Sequence, residues 1–372
     1  MMPEPITVGV AGLGTMGLGI AQVYAAAGYT VLATDAHEPA RANAHTRLRA
    51  ALEPRVAKGA LSPAAMEATL ANLHIVETPE ALAPAILIIE AILETLAAKQ
   101  DLFTALEAVT APQTVLATNT SSLSVTAIAS ALKHPARVLG LHFFNPAPVM
   151  KLVELVAHPG TSAAALTLAR TLTETAGKTV IACPDRPGFI VNRCARPFYG
   201  EALALIEEGR TPSDIDAAML AAGYRIGPLS LIDLIGADIN LAATEGLHAA
   251  LHHPRYHVFE TLKARVAAGR LGRKSGQGFL YPATPGPAPK DAAQIALRIE
   301  ATLANEAAWL LSEGGVTAAG IDQALKLGLN FPRGPFDAAA LHGPDTSRAT
   351  LAMLESRAPA HLKTRYLPPP AP

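Results

Sequence analysis

Residues 6–35 read ITVGVAGLGTMGLGIAQVYAAAGYTVLATD. Ile6–Ala11 is a short apolar run that ends in glycines, the pattern of a buried strand. Met16–Ala27 has helical character and stops at Gly28, a C-terminal signal. Thr30–Thr34 is a β-rich run ending at Asp35. Strand, helix and strand within about 30 residues make a βαβ unit. Between the first strand and the helix stands Gly12-Leu-Gly14-Thr-Met-Gly17. The first glycine permits a tight turn, the second lets backbone approach a pyrophosphate, and the third allows close helix–strand packing. The helix N-terminus then offers unpaired N–H groups and the positive end of its dipole. Asp35 closes the second strand 23 positions after Gly12, where a carboxylate accepts from ribose hydroxyls and repels a 2′-phosphate. The stretch therefore predicts NAD, rather than NADP, held by Gly12, Gly14, Gly17 and Asp35. A glycine turn with no ligand is the competing reading. The placement after a strand and before a helix weighs against it.

Outward from this unit the alternation continues. Strands are expected at Ile86–Ile89, Val115–Thr118, Val138–His142, Lys151–Val156 and Thr179–Cys183. Helices are expected at Lys99–Val109, Val125–Leu132 and Ser162–Ala176, with a polar helical pair at Arg41–Val56 and Pro63–Leu73. This is an α/β, Rossmann-like, doubly wound domain with a mostly parallel sheet. After Pro187 strand signals vanish and apolar helices such as Asn192–Glu208 and Pro212–Ala222 take over. PATPGPAPK at 282–290 is a Pro-rich linker, and a further helical block follows. The expected organisation is thus 1–187 for the dinucleotide domain, 188–281 for an all-α domain and 291–357 for a second helical block.

The two helical blocks resemble each other. Glu201 and Glu208-Gly209 are echoed by Glu306 and Glu313-Gly314, Ile215-Asp216 by Ile321-Asp322, and Gly227-Pro228 by Gly334-Pro335. The offset drifts from 105 to 107, so the blocks read as a duplicated unit. Chance similarity between Ala-rich helices is the alternative.

Composition excludes other classes. Thirty Lys and Arg against 31 Asp and Glu leave a formal charge of -1, without the basic excess that nucleic acid or an acidic membrane requires. Two cysteines in 372 residues exclude a disulfide framework and favour a reducing, cytoplasmic setting. No secretory signal or Arg-rich transit peptide is expected, the first arginine being Arg41. No apolar run reaches the roughly 18–20 residues that span a bilayer.

Three clusters carry candidate chemistry. Asn119-Thr-Ser121-Ser122 follows a strand, where open parallel sheets bind ligands. It is also a plausible helix cap through Ser122 or Ser124. His142-Phe-Phe-Asn145-Pro146 closes another strand, and a histidine between apolar residues is often only a satisfied core residue. Glu154 sits inside an apolar run, where a carboxylate is costly unless paired. His142 is its natural partner. A carboxylate on one ring nitrogen fixes the tautomer and raises the basicity of the other. A structural ion pair is the competing reading.

The runs GLGTMGLGIAQVYAAAGYTVLATD, EAILETLAAK, NTSSL, GLHFFNPAPVMKLVELV, DRPGFIVNR and GRKSGQGF together resemble the 3-hydroxyacyl-CoA dehydrogenase family along residues 6–281. The resemblance implies NAD-dependent oxidation of an L-3-hydroxyacyl-CoA to the 3-oxoacyl-CoA, with no metal. By matching position, it implies His142 as general base, Glu154 as its partner, and Ser121 and Asn192 on the substrate oxygen. It implies Asp35, Glu94, Lys99 and Asn119 on the cofactor and Lys58 near the CoA phosphates. In this hairpin Ala51 replaces a serine of the mitochondrial pattern, and Pro54 interrupts the helix. At offset 105 Asn192 maps to Leu297, so the second helical copy is expected to be structural. By resemblance to duplicated relatives it takes the place of a dimer partner within one chain, leaving a homo-oligomer open. The alternatives are a related hydroxy-acid or sugar-acid dehydrogenase, or an NAD-binding protein that has lost its activity.

Overall fold

The computed structural model describes residues 6–370. The chain divides between Arg186 and Pro187 into two compact units.

The first unit is built on one eight-stranded sheet in the order β3-β2-β1-β4-β5-β6-β7-β8. The strands are β1 (Thr7–Ala11), β2 (Thr30–Thr34), β3 (Leu73–Ile75), β4 (Leu87–Glu90), β5 (Val115–Thr118), β6 (Val138–Phe143), β7 (Leu152–Ala157) and β8 (Thr179–Pro184). All neighbours pair in parallel except β6 and β7, which are antiparallel. The helices are α1 (Thr15–Ala26), α2 (Glu38–Ala42), α3 (Ala44–Ala57), α4 (Pro63–Ala71), α5 (Leu96–Val109), α6 (Val125–Ala129) and α7 (Ala163–Thr175). Residues of β4, β5 and β6 are buried throughout, which is why these strands read as unbroken apolar runs. β3 was not expected. It is three residues long at the sheet edge, and its exposed His74 breaks the apolar run. The helical pair at 41–73 is interrupted at Asn43, and Pro54 lies inside α3.

The glycine turn is enforced by sterics. Gly12 has φ +103, and a Cβ there would lie 2.5 Å from the Ala91 carbonyl oxygen. A Cβ on Gly17 would lie 1.8 Å from the Gly12 oxygen, so α1 approaches β1 only because that position is bare.

The second unit is helical: α8 (Val191–Cys194), α9 (Arg196–Glu207), α10 (Pro212–Ala221), α11 (Pro228–Ile235), α12 (Ala237–Leu251), α13 (Glu260–Ala267), α14 (Ala292–Ser312), α15 (Ala318–Leu329), α16 (Pro335–His342) and α17 (Pro344–Arg357). The expected helix 192–208 is two helices, because Pro197 restarts it in the first turn of α9. α14 is the central element, packed against α9, α10, α16 and α17.

The two halves of this unit face each other reciprocally. Arg193 pairs with Glu306 at 2.8 Å and with Glu313 at 2.5 Å. Arg298 pairs with Glu201 at 2.7 Å and with Glu208 at 2.6 Å. Adding 105 to 193, 201 and 208 gives 298, 306 and 313, so each arginine reaches the glutamates of the other half. The pattern continues beyond residue 357. Arg255 and Tyr256 reach Glu306 at 2.8 and 2.5 Å, and Arg365 and Tyr366 reach Glu201 at 3.4 and 3.1 Å. Asp216 accepts from the Leu229 and Ser230 amides, and Asp322 from those of Phe336 and Asp337.

Candidate active site

Five predicted residues lie at the C-terminal ends of parallel strands. Gly12 follows β1, Asp35 follows β2, Asn119 follows β5, and Gly14 and Gly17 open α1. The Asp35 carboxylate is held in place by the Leu13 amide at 2.6 Å and the His37 amide at 2.8 Å. Arg47 donates to the Leu13 carbonyl at 2.8 Å and Arg41 to the Asp35 carbonyl at 2.5 Å, fixing the turn from the far side. A Cβ on Gly14 would meet nothing within 4 Å, so the turn opens onto free space at the helix N-terminus. That space, the bare backbone and the ribose-side carboxylate fit a dinucleotide.

Beside the turn lies a buried polar network. Glu90, fully buried at the end of β4, accepts from Lys99 Nζ at 2.6 Å, the Ile92 amide at 2.7 Å and Thr118 Oγ1 at 2.7 Å. Lys99 also reaches Glu94 at 3.1 Å. Glu94 Oε1 in turn accepts from Thr120 Oγ1 at 2.5 Å, the Ser121 amide at 3.1 Å and Ser122 Oγ at 3.0 Å. Burial opposes its charge, yet the bonds from Thr120 and Lys99 hold its carboxyl below the ordinary range. Ser122 is therefore engaged by Glu94, and Ser124 is the residue that caps α6. Asn119 receives the Phe143 amide on its Oδ1 at 2.8 Å, joining this loop to the end of β6.

β6 carries His142 and β7 carries Glu154, directly opposed in antiparallel register. His142 Nδ1 lies 2.6 Å from Glu154 Oε2. Glu154 is fully buried and His142 nearly so. With a carboxylate on Nδ1, the hydrogen sits on Nδ1 and the lone pair on Nε2. The Phe144 ring packs 4.5 Å from the imidazole. The β6–β7 loop is tied down by buried Lys178, whose Nζ donates to the carbonyls of Ala147 at 2.5 Å and Met150 at 2.8 Å. Burial and nearby Lys151 lower its pKa to about 8.

Asn192 lies on α8 of the second unit, and its carbonyl accepts from Arg196 Nε at 3.0 Å. Lys58 is exposed at the C-terminal cap of α3, and no hydrogen bond joins it to the network above. Glu90, Arg47, Lys178 and Asp185 were not anticipated. Asp185 accepts from Ser124 Oγ and from the amide and hydroxyl of Thr126, joining the end of β8 to α6. Glu90 carried a signal like that of Glu154: an acid in an apolar strand.

The model of the 3-hydroxyacyl-CoA dehydrogenase NAD binding domain matches residues 7–186, and that of the family's C-terminal domain matches 188–281 and 295–371. The 3-hydroxyadipyl-CoA dehydrogenase of Escherichia coli is 48% identical over 281 residues, 75% of this chain and 59% of that protein. The chain thus spans under two thirds of that relative's length. A probable 3-hydroxybutyryl-CoA dehydrogenase of Bacillus subtilis is 40% identical over 272 residues, 73% of this chain and 95% of that one. Among solved structures, the 3-hydroxybutyryl-CoA dehydrogenase of E. coli K12 superposes with TM-score 0.91 at 34% identity, covering 98% of this chain and 97% of that one.

Proposed function

The chain belongs to the 3-hydroxyacyl-CoA dehydrogenase family, and from that premise we propose that it oxidises an L-3-hydroxyacyl-CoA to the 3-oxoacyl-CoA with NAD, using His142 as the base. The observation that carries this reading is the His142–Glu154 pair, 2.6 Å apart across β6 and β7.

Nε2 of His142 takes the proton of the 3-hydroxyl as the C3–H bond breaks and the C3–O double bond forms. Bound NAD supplies the acceptor for the hydride. The Glu154 carboxylate stabilises the imidazolium that results. Ser121 and Asn192 hold the substrate oxygen and polarise the ketone in the reverse direction. Asp35 takes the ribose hydroxyls. Glu94, Lys99 and Asn119 order the nicotinamide side, with Glu90 locking Lys99 beneath them. Lys58 is assigned to the CoA phosphates, and its exposure suits a role on a solvent-facing group.

The second helical copy serves as an intrachain dimer partner. The reciprocal Arg193–Glu306 and Arg298–Glu201 pairs support this, since an isologous contact repeats each interaction in both directions. Leu297 at the Asn192 position supports a structural role for that copy. No described helix is long and apolar enough to cross a membrane. Cys183 and Cys194 are both buried, and we assign the enzyme to the cytoplasm. The test is turnover of His142→Ala: loss of nearly all activity with NADH binding intact supports the assignment, and retention of most activity removes it.

A further inference from the structure

The helical unit contains a cavity of about 840 Å³ that the dehydrogenase reading does not use. Leu297, Leu354, Leu362 and Phe259 form part of its apolar wall, and Arg357 and His361 line it as well. The volume is within the range of small-molecule sites, roughly 300–1,000 Å³.

The duplication explains why the space exists. In the first copy Gly188 lies against α12: a Cβ on it would stand 3.0 Å from Leu247 Cδ2. Phe189 and Ile190 are buried. Gly236 and Gly343 cap α12 and α17 equivalently, an offset of 107, so Leu247 corresponds to Leu354. At offset 105 residues 187–190 correspond to 292–295, which are the first turn of α14. Ile190 is matched there by Ile295, which lines the cavity, but the Phe189 ring is replaced by Gln294, and Leu354 faces the cavity.

The arginines around it other than Arg357 are paired. Arg210 pairs with Asp291, Arg298 pairs with Glu201 and Glu208, and Glu207 accepts from Thr261. The His361 ring lies 5.0 Å from that of His257. The Arg357 guanidinium, on the exposed last turn of α17, makes no ion pair or hydrogen bond among the described residues. A cavity with an apolar wall and one guanidinium without an ion pair suits a ligand with an apolar body and a single negative head.

We propose that this cavity binds an apolar monocarboxylate of the fatty-acid type, its chain along Leu297, Leu354 and Leu362 where no counterpart of the Phe189 ring stands, and its carboxylate on Arg357. The mapping rests on the duplicated reading above, whereas the binding test needs no turnover, so either can fail without the other. Calorimetry with decanoate as the probe tests it on wild type, Arg357→Gln and Leu297→Trp. One decanoate per chain is expected in wild type. Affinity should fall about tenfold in Arg357→Gln, the loss of one charged partner, and binding should vanish in Leu297→Trp. NADH affinity should be unchanged in both, and saturating acetoacetyl-CoA should not displace decanoate. Arg357 is exposed, so its variant decides the matter even where Leu297→Trp fails to fold. No binding to wild type, equal binding to wild type and Arg357→Gln, or displacement by acetoacetyl-CoA would overturn the proposal.

Discussion

Glu154 stands directly across the β6–β7 ladder from His142, with Oε2 2.6 Å from Nδ1. A carboxylate in that position holds the imidazole in one tautomer and compensates the charge it gains. Glu154→Gln keeps the shape and removes the charge. Its kcat should fall by about 100- to 10,000-fold, the scale seen when the orienting acid of a histidine base is neutralised. NADH affinity should remain that of wild type by fluorescence titration. A loss under threefold would reduce the pair to a structural contact.

Lys178 anchors the loop that joins the two members of that pair. Lys178→Met should lower both kcat and the melting temperature, while Lys178→Arg should recover part of each. The pH dependence has a definite sign. Its pKa is depressed from 10.5 to about 8 in the fold, so between those values the unfolded chain holds more protons than the folded one. Stability from this group therefore rises with pH through that window. Denaturant titrations should show the gap between wild type and Lys178→Met widening from pH 8 upward. A gap that narrows would contradict the assignment.

On the proposed reading Asp35 sets the choice of cofactor. Asp35→Asn retains an acceptor for the Leu13 amide and loses the charge that repels a 2′-phosphate. The ratio of kcat/KM for NADH over NADPH should fall at least about tenfold, a change of 1.4 kcal/mol in discrimination. Equal loss with both cofactors would place the preference elsewhere.

Arg298 joins the two halves of the helical unit through fully buried Glu201. Arg298→Met leaves that carboxylate with Arg365 and Tyr366, both more than 3 Å away. Breaking a buried pair from one side costs about 3–5 kcal/mol. Denaturant unfolding should record a loss of that order, and Arg193→Met should give a similar one through Glu306. Negligible loss in both would mean that the reciprocal pairs do not hold the copies together.

The features legible in the sequence were those with a strong local cause. The glycine turn is dictated by contacts a Cβ would violate at Gly12 and Gly17, and the central strands by burial on both faces. β3 escaped because an edge strand of three residues with exposed His74 has no period to detect. The network around Glu90 escaped for a different reason. Its partners Lys99 and Thr118 are 9 and 28 positions away, and only the packing of α5 and the pairing of β4 with β5 bring them together. Arg365 and Tyr366 stand beside the Pro-rich stretch after Leu367, yet their side chains end on buried Glu201. Family resemblance supplied Asn192, which no spacing rule would have selected, and singled out Ser121 within the polar cluster that follows β5.

The most direct measurement is NADH oxidation by the purified protein with acetoacetyl-CoA, run beside free acetoacetate and beside His142→Ala. The account predicts turnover with the thioester, little with the free acid, and nearly none in the variant. Equal turnover of the free acid, or a His142→Ala variant as active as wild type, would contradict it.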